Sequence, residues 1–233
     1  MKKPFETYFG GKGSDGTFQT IINQVPKCSV FVELMAGNGT IGRLLQERDI
    51  YHQLIVYFND IDPVVTNAFV SAGLNCLNED YKYVLEEYFH PSRINLDNVV
   101  FYCDPPYLKS TRKSQDNRYR FEWTDEQHIE FLEIISEAKS KVMVSHYPSE
   151  LYDTFLGGWR KIEFQSQKRH GLATECLWMN YPEPIELQTY DFLGKNYTDR
   201  QRIKRKRERF VKKIMDLPML ERKAILEEIE NFN

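Results

Sequence analysis

The sequence predicts an α/β protein built on a mostly parallel sheet that ends in an antiparallel pair, and two observations carry that expectation. Short apolar runs alternate with helical stretches, the pattern of right-handed crossovers between parallel strands. The unusual polar clusters fall just after those runs, where ligands sit in open α/β sheets. Val30-Phe31-Val32-Glu33-Leu34 reads as a buried strand, followed by a glycine-rich turn and a helix through residue 48. Leu54 to Phe58 is a second strand, closed by Asn59-Asp60-Ile61-Asp62-Pro63 and a helix through residue 71. Leu74–Leu77 reads as a short third strand, Tyr81–Phe89 as a helix, and Val99–Cys103 as the fourth strand. A helix from Asp125 to Ser140 carries Ile129, Leu132, Ile135 and Ala138 on one face, and Val142–Val144 follows as a fifth strand. Lys161–Phe164 and Cys176–Met179 form the terminal antiparallel pair, and 198–232 reads as two helices split at Leu217-Pro218.

A chain of 233 residues, 41% apolar and 28% charged, can bury one sizeable core with room for a small appendage. The expected division is 1–190 as a catalytic domain and 191–233 as a basic helical extension. Four cysteines lie far apart without C-x-x-C spacing, so reduced thiols are expected and no metal site. Lys2 and Lys3 lack a following apolar segment, and no stretch approaches membrane-spanning length; a cytoplasmic chain without membrane contact is expected. The net charge of −3 hides an asymmetry, because residues 199–213 hold nine Lys/Arg against two acids. An acidic body with a basic arm points to a polyanionic partner.

The loop Glu33 to Thr40 follows the first strand and opens a helix, with Gly37 and Gly39 letting the backbone pass close to a ligand. Gly10-Gly11-Lys12-Gly13 lacks the spacing of a phosphate-binding P-loop. Asp60 is placed to accept from a ribose diol, and Asp62 to cap the helix opened by Pro63. Asp80-Tyr81 offers either an acceptor and a ring for a purine, or a helix cap and a core aromatic. Asp104-Pro105-Pro106-Tyr107 ends the fourth strand. A carboxylate and a proline carbonyl are acceptors for an exocyclic amine, and a tyrosine face can stack on a planar base. Downstream, Leu108–Trp123 interleaves Lys109, Arg112, Lys113, Arg118 and Arg120 with Tyr119, Phe121 and Trp123, a composition suited to phosphate and base contact. Arg202, Lys204, Arg205, Lys206, Arg207 and Arg209 surround most of a helix, which suits phosphates better than a core. Leu217, Leu220, Ala224, Ile225 and Ile229 either fold the second helix back or make a homodimer contact.

Four elements in order resemble the DNA adenine-N6 methyltransferases of the Dam-like group, in the alpha-group motif order. Tyr8-Phe9-Gly10-Gly11-Lys12 resembles the aromatic-x-G-G-K element. Phe31 to Gly39 resembles the F-x-E-P-F-x-G-x-G loop, with Leu34 in place of proline. Asn59-Asp60-Ile61 resembles the ribose motif, and Asp104 to Tyr107 is identical to the catalytic one. The resemblance covers residues 4–180 and implies a seven-stranded Rossmann-like class I methyltransferase fold. It implies S-adenosylmethionine as methyl donor, double-stranded DNA as substrate, and a restriction-modification or phage setting. By the same resemblance Tyr8, Gly11, Lys12, Glu33, Met35, Gly37, Asn38, Gly39, Asp60, Ile61, Asp80, Tyr81 and Asp104 line the cofactor pocket. Asp104, Pro105, Pro106 and Tyr107 then hold a flipped-out adenine. The family's target-recognition domain is missing, because the interval between the ribose motif and D-P-P-Y is filled by sheet elements; recognition then falls to 108–123 or the basic arm. That gap favours an RNA adenine methyltransferase as the first alternative. N4-cytosine transfer, more often associated with S-P-P-Y, is the second, and a non-catalytic nucleic-acid-binding regulator the third.

Overall fold

The structure, a computed structural model, describes residues 2–6, 8–90, 92, 94–112, 116–168 and 171–231. Lys113 lies outside the described residues. The chain divides into two compact units, 1–190 and 191–233.

In the first unit, helix α1 (Thr17–Ile22) precedes strand β1 (Val30–Glu33), α2 (Thr40–Arg48), β2 (Ile55–Phe58) and α3 (Pro63–Ser71). A short turn α4 (Tyr81–Tyr83) leads into a wider helical turn over Val84–Tyr88, and then β3 (Val99–Cys103). The unit continues with α5 (Asp125–Ser136), β4 (Lys141–His146), α6 (Glu150–Phe155), β5 (Arg160–Lys168) and β6 (Gly171–Met179).

The sheet runs β2-β1-β3-β4-β6-β5; the first four strands are parallel and the last two reverse. This is the expected Rossmann-like α/β arrangement, with six strands among the described residues rather than seven. The missing strand is Leu74–Leu77. Only an isolated parallel bridge, Asn59 to Leu77, forms there. Leu77 N–H donates to the Phe58 carbonyl at 2.8 Å, and Asp60 N–H to the Leu77 carbonyl at 3.0 Å, after which the chain turns away. Two ladder bonds are too few to hold a strand at a solvent-facing edge.

β1 and β3 are buried along their whole length, so their apolar runs are continuous rather than alternating. Val30, Val32, Phe101, Val144, Phe131 and Trp178 join the larger core on one face, and Ala36, Phe58, Val65 and Phe69 a smaller one. The helix caps were written in the sequence. Asp62 accepts from Val64 N–H at 2.9 Å ahead of Pro63, and Thr124 with Gln127 closes a capping box on α5. The chain leaves β1 for β2 on one side and its neighbour on the other side is β3, so the switch point lies at the carboxyl ends of β1 and β3.

The second unit holds α7 (Tyr197–Met215), capped by Asn196, and α8 (Met219–Asn231). No residue of either helix is buried. Among the described residues no helix is long and apolar enough to cross a membrane.

Candidate active site

Two cavities of the first unit meet on a common wall made by Tyr8 to Lys12 and Tyr119. The first lies over the switch point and is lined by Glu33, Met35, Gly37, Asn38, Asp60, Ile61, Asp80, Tyr81, Asp104 and Pro106, with others. Gly39 and Pro105 are not among the residues that line it. The second is lined by Tyr107, Tyr147, Pro148, Thr111, Arg112, Arg118 and the far end of the β5–β6 hairpin.

The loop after β1 is held by side chains at the ends of neighbouring strands. Gly37 and Gly39 have φ of 52° and 58°, and a Cβ on either would lie 2.6 Å from the ring of Tyr8 or Phe69. Asp60 accepts from Gly37 N–H and from Asp62 N–H, both at 2.9 Å, and so ties two loops together. Burial raises the Asp60 carboxyl, against those two amide bonds. Glu33 accepts from Gly42 N–H at 2.8 Å, and burial pushes it up to about 8. Asn38 exchanges two hydrogen bonds with the backbone of Phe5, fixing the segment that carries Tyr8 to Lys12. Asp80 takes the capping role, accepting from Lys82 N–H at 2.8 Å, while Tyr81 packs on Trp123 and Phe131 and still faces the first cavity.

Asp104 follows β3 directly. Its carboxylate takes Lys12 Nζ at 2.7 and 2.5 Å, and Ser145 Oγ–H at 2.7 Å. Tyr107 is 5% exposed, with its hydroxyl donating to Glu175 Oε2 at 3.0 Å and the rings of His146 and Tyr147 each at 4.6 Å. Leu108 N–H donates to His146 Nε2 at 2.8 Å, and His146 Nδ1 lies 2.8 Å from the Tyr147 carbonyl. That pair of bonds requires neutral imidazole with its proton on Nδ1.

Ser145, His146, Tyr147 and Glu175 were not singled out from the sequence. They reach the site because β4 ends beside β3, and because β6 runs antiparallel to β4, which returns Glu175 to the same sheet end. Ser-His-Tyr after the apolar run Val142–Val144 was the available signal. Glu175 gave none, since its partners within the site, Tyr107 and Lys12, are 68 and 163 positions away.

Burial holds His146 down at about 3, well below the ordinary 6.5. The folded state therefore keeps the neutral form; the stability this contributes is complete above pH 6.5 and is lost as pH falls toward 3. Each pH unit in that window is worth ~1.4 kcal/mol, so melting at pH 5 should show a loss of ~2 kcal/mol from this group. His146→Gln should flatten that acid slope between pH 6.5 and 5.

Among the described residues of 108–123, the cations differ in their partners. Arg112 does not face solvent. Its guanidinium donates to the Tyr107 carbonyl through Nε at 2.6 Å, and to Glu122 through Nη1 and Nη2 at 2.9 and 2.6 Å. The pair is 7% and 12% exposed. Glu122 also takes the backbone N–H of Arg118 and Tyr119. Despite burial, Arg112 and these amides hold its carboxyl down at about 2. Arg112 is thus a pin for the segment. Tyr119 is turned inward too, lying edge-on to Phe9 at 5.2 Å and lining both cavities. Lys109 bonds Asn117, while Arg118 and Arg120 are exposed, Arg120 3.7 Å from Asp62. In the second unit Arg202 pairs with Asp199 and Arg207 with Asp191; Lys204 stands 3.9 Å from Glu208, and Arg205, Lys206 and Arg209 are exposed.

Among the described residues no group of three or more His, Cys, Asp or Glu side chains could hold a metal. No family model matches the chain, and no curated protein matches it. Three solved structures are similar at low identity. A type I restriction-modification system methyltransferase subunit from Streptococcus thermophilus gives a TM-score of 0.44 at 10% identity, over 84% of this chain and 53% of that one. The METTL16 methyltransferase domain gives 0.46 at 10% identity, over 71% and 67%. The type IIG restriction endonuclease BpuSI gives 0.44 at 12% identity, over 72% and 24%. The chain thus spans about half the length of the streptococcal subunit and a quarter of the endonuclease. It is the strand order and the reversed terminal pair that define the fold.

Proposed function

We propose that this protein transfers a methyl group from S-adenosylmethionine to N6 of an adenine held out of a DNA strand. One observation carries the reading: Asp104 and the loop of Gly37 face the same cavity, and the cavity that holds Tyr107 shares its wall. The donor set of the first cavity fits the cofactor. Seven acids (Asp60, Asp62, Glu79, Asp80, Asp104, Glu122 and Glu130) line it against Lys12, Lys82 and Arg120, beside a Glu33 that burial keeps mostly uncharged, a field that favours a ligand bearing an ammonium and a sulfonium. Met35 and Tyr81 supply apolar wall for a purine, and the remaining lone pairs of Asp60 suit a ribose diol.

When bound, S-adenosylmethionine supplies an electrophilic methyl whose departure leaves a neutral thioether. The chain's part is to make a poor nucleophile usable. Adenine N6 shares its lone pair with the ring. Accepting its two N–H bonds through the Asp104 carboxylate and the Pro105 carbonyl favours a pyramidal nitrogen with the lone pair directed at the methyl. The nitrogen that gains the methyl loses one proton, which the Asp104 carboxylate is placed to receive. Tyr107, fixed by Glu175, offers the face beneath the base. Flipping a base out of a duplex costs a few kcal/mol, offset by cationic contacts from Arg118, Arg120 and α7.

Incubating the protein with labelled S-adenosylmethionine and DNA, then digesting to nucleosides, should yield N6-methyladenine. Label in RNA alone, or in N4-methylcytosine, overturns the assignment. The basic helix is read separately. Reversing Arg205, Lys206 and Arg209 to glutamate should weaken DNA binding about uniformly over sequences and reduce the slope of log affinity against log salt by roughly 3. An unchanged slope removes α7 from the interface.

A further inference from the structure

Lys12 occupies the Asp104 carboxylate that the proposed function assigns to the substrate amine. Its Nζ contacts both oxygens of Asp104, donates to the Gly10 carbonyl at 3.2 Å, and lies 5.0 Å from the centroid of the Tyr107 ring. A carboxylate, a carbonyl and an aromatic face are the partners that the proposed reaction asks for an exocyclic nitrogen. While the ammonium is there, no base can take both Asp104 and the ring.

Lys12 is 4% exposed, so it has no direct way into solvent. A second carboxylate waits beside it. Glu175 Oε2 is 3.8 Å from Nζ, in a side chain with no exposure at all. Glu175 accepts from Tyr107 OH at 3.0 Å and Ser166 Oγ at 2.6 Å, and it pairs with Lys168. Burial alone would raise its carboxyl, but Lys12 and Lys168 hold it down at about 2, so it is an anion ready to receive a cation. A lysine passing from Asp104 to Glu175 keeps a charged partner throughout, and no unpaired charge is buried on the way.

We infer that Lys12 is a placeholder for the substrate's amino group, handed over from Asp104 to Glu175 as the base enters, with Glu175 the positioning residue that receives it. This rests on the reading of Asp104 as the amine-holding carboxylate. The hydroxyl bond from Tyr107 to Glu175 keeps the ring in place while the ammonium leaves it. In the resting state the same contact keeps Asp104 from taking an unrelated cation.

The test compares kcat for methyl transfer in wild type, Glu175→Gln, Glu175→Asp and the double variant Glu175→Gln with Lys12→Met, with cofactor affinity from calorimetry alongside. Glu175→Gln should lose roughly 30-fold in kcat, the scale of a lost charged hydrogen-bond partner, with cofactor affinity within about threefold. Glu175→Asp should fall between it and wild type. Removing the placeholder as well should restore at least about tenfold over Glu175→Gln, a rescue that a purely structural role does not give. A double variant no faster than Glu175→Gln, or a Glu175→Gln protein at the wild-type rate, overturns the hand-over. Should Glu175→Gln fail to fold, Lys12→Met alone decides. With nothing to displace, its KM for nucleic acid falls severalfold, and an unchanged or higher KM overturns the inference. A wild type that methylates no nucleic acid sinks the methyl-transfer reading and the hand-over together; a working wild type without rescue sinks the hand-over alone.

Discussion

Asp104→Ala is expected to lower methyl transfer by about 10³-fold or more while nucleic-acid binding stays nearly intact. The variant removes one carboxylate that accepts from the target amine, a charge-assisted bond worth about 1.5–3 kcal/mol. It also removes the group that directs the nitrogen at the methyl, and orientation adds a comparable or larger share. The fold should survive, because the groups left behind have other partners. Lys12 has Glu175 at 3.8 Å and the Gly10 carbonyl, and the Ser145 hydroxyl has Tyr102 OH at 2.9 Å. Transfer of tritiated methyl groups measures the loss, with gel-shift titration for binding. Activity above about a tenth of wild type would remove Asp104 from the chemistry.

Arg112→Gln is the second large effect, and its signature is the reverse of the one composition suggests. A phosphate-contacting arginine, once removed, weakens binding and lowers the salt slope by about 1. Arg112 instead bonds Tyr107 and Glu122 within the fold. Losing it leaves Glu122 ionised and half-satisfied in a nearly closed site, and breaking a buried pair costs about 3–5 kcal/mol. Part of that cost falls on the whole fold and part on the segment to Trp123, whose closure over both cavities depends on the pair. The expected outcome is a depressed Tm, a large fall in methyl transfer, and a salt slope equal to that of wild type. A slope reduced by about 1 with an unchanged Tm would return Arg112 to the nucleic-acid interface.

These two residues show where reading the chain succeeds and where it stops. β1, β3 and β4 were visible because a parallel strand covered on both faces must be an apolar run; the polar clusters that follow these runs, and the run of the half-exposed edge strand β2, mark their ends. Asp62 as a cap and Asp104 at the end of β3 come from the same local grammar. Leu74–Leu77 looked like a strand by the same rule, yet apolar character cannot say whether an edge has enough partners to form. The pairing of Arg112 with Glu122 was not legible, because a basic residue among aromatics looks the same whether its charge meets a phosphate or a glutamate ten positions on. Glu175 was invisible. An acid within an otherwise apolar strand acquires meaning only when antiparallel pairing brings it beside a lysine from the beginning of the chain.

The wall from Tyr8 to Lys12 has one more consequence. Because residues 8–12 are common to both chambers, a ligand in the first chamber, where the proposed function puts the cofactor, would bear on the surface offered to the second. Thermodynamic reciprocity then requires that nucleic acid alter the affinity for cofactor by the factor with which cofactor alters the affinity for nucleic acid. With the proposed cofactor in one chamber and nucleic acid in the other, this shared stretch, rather than any distant relay, would couple the two ligands.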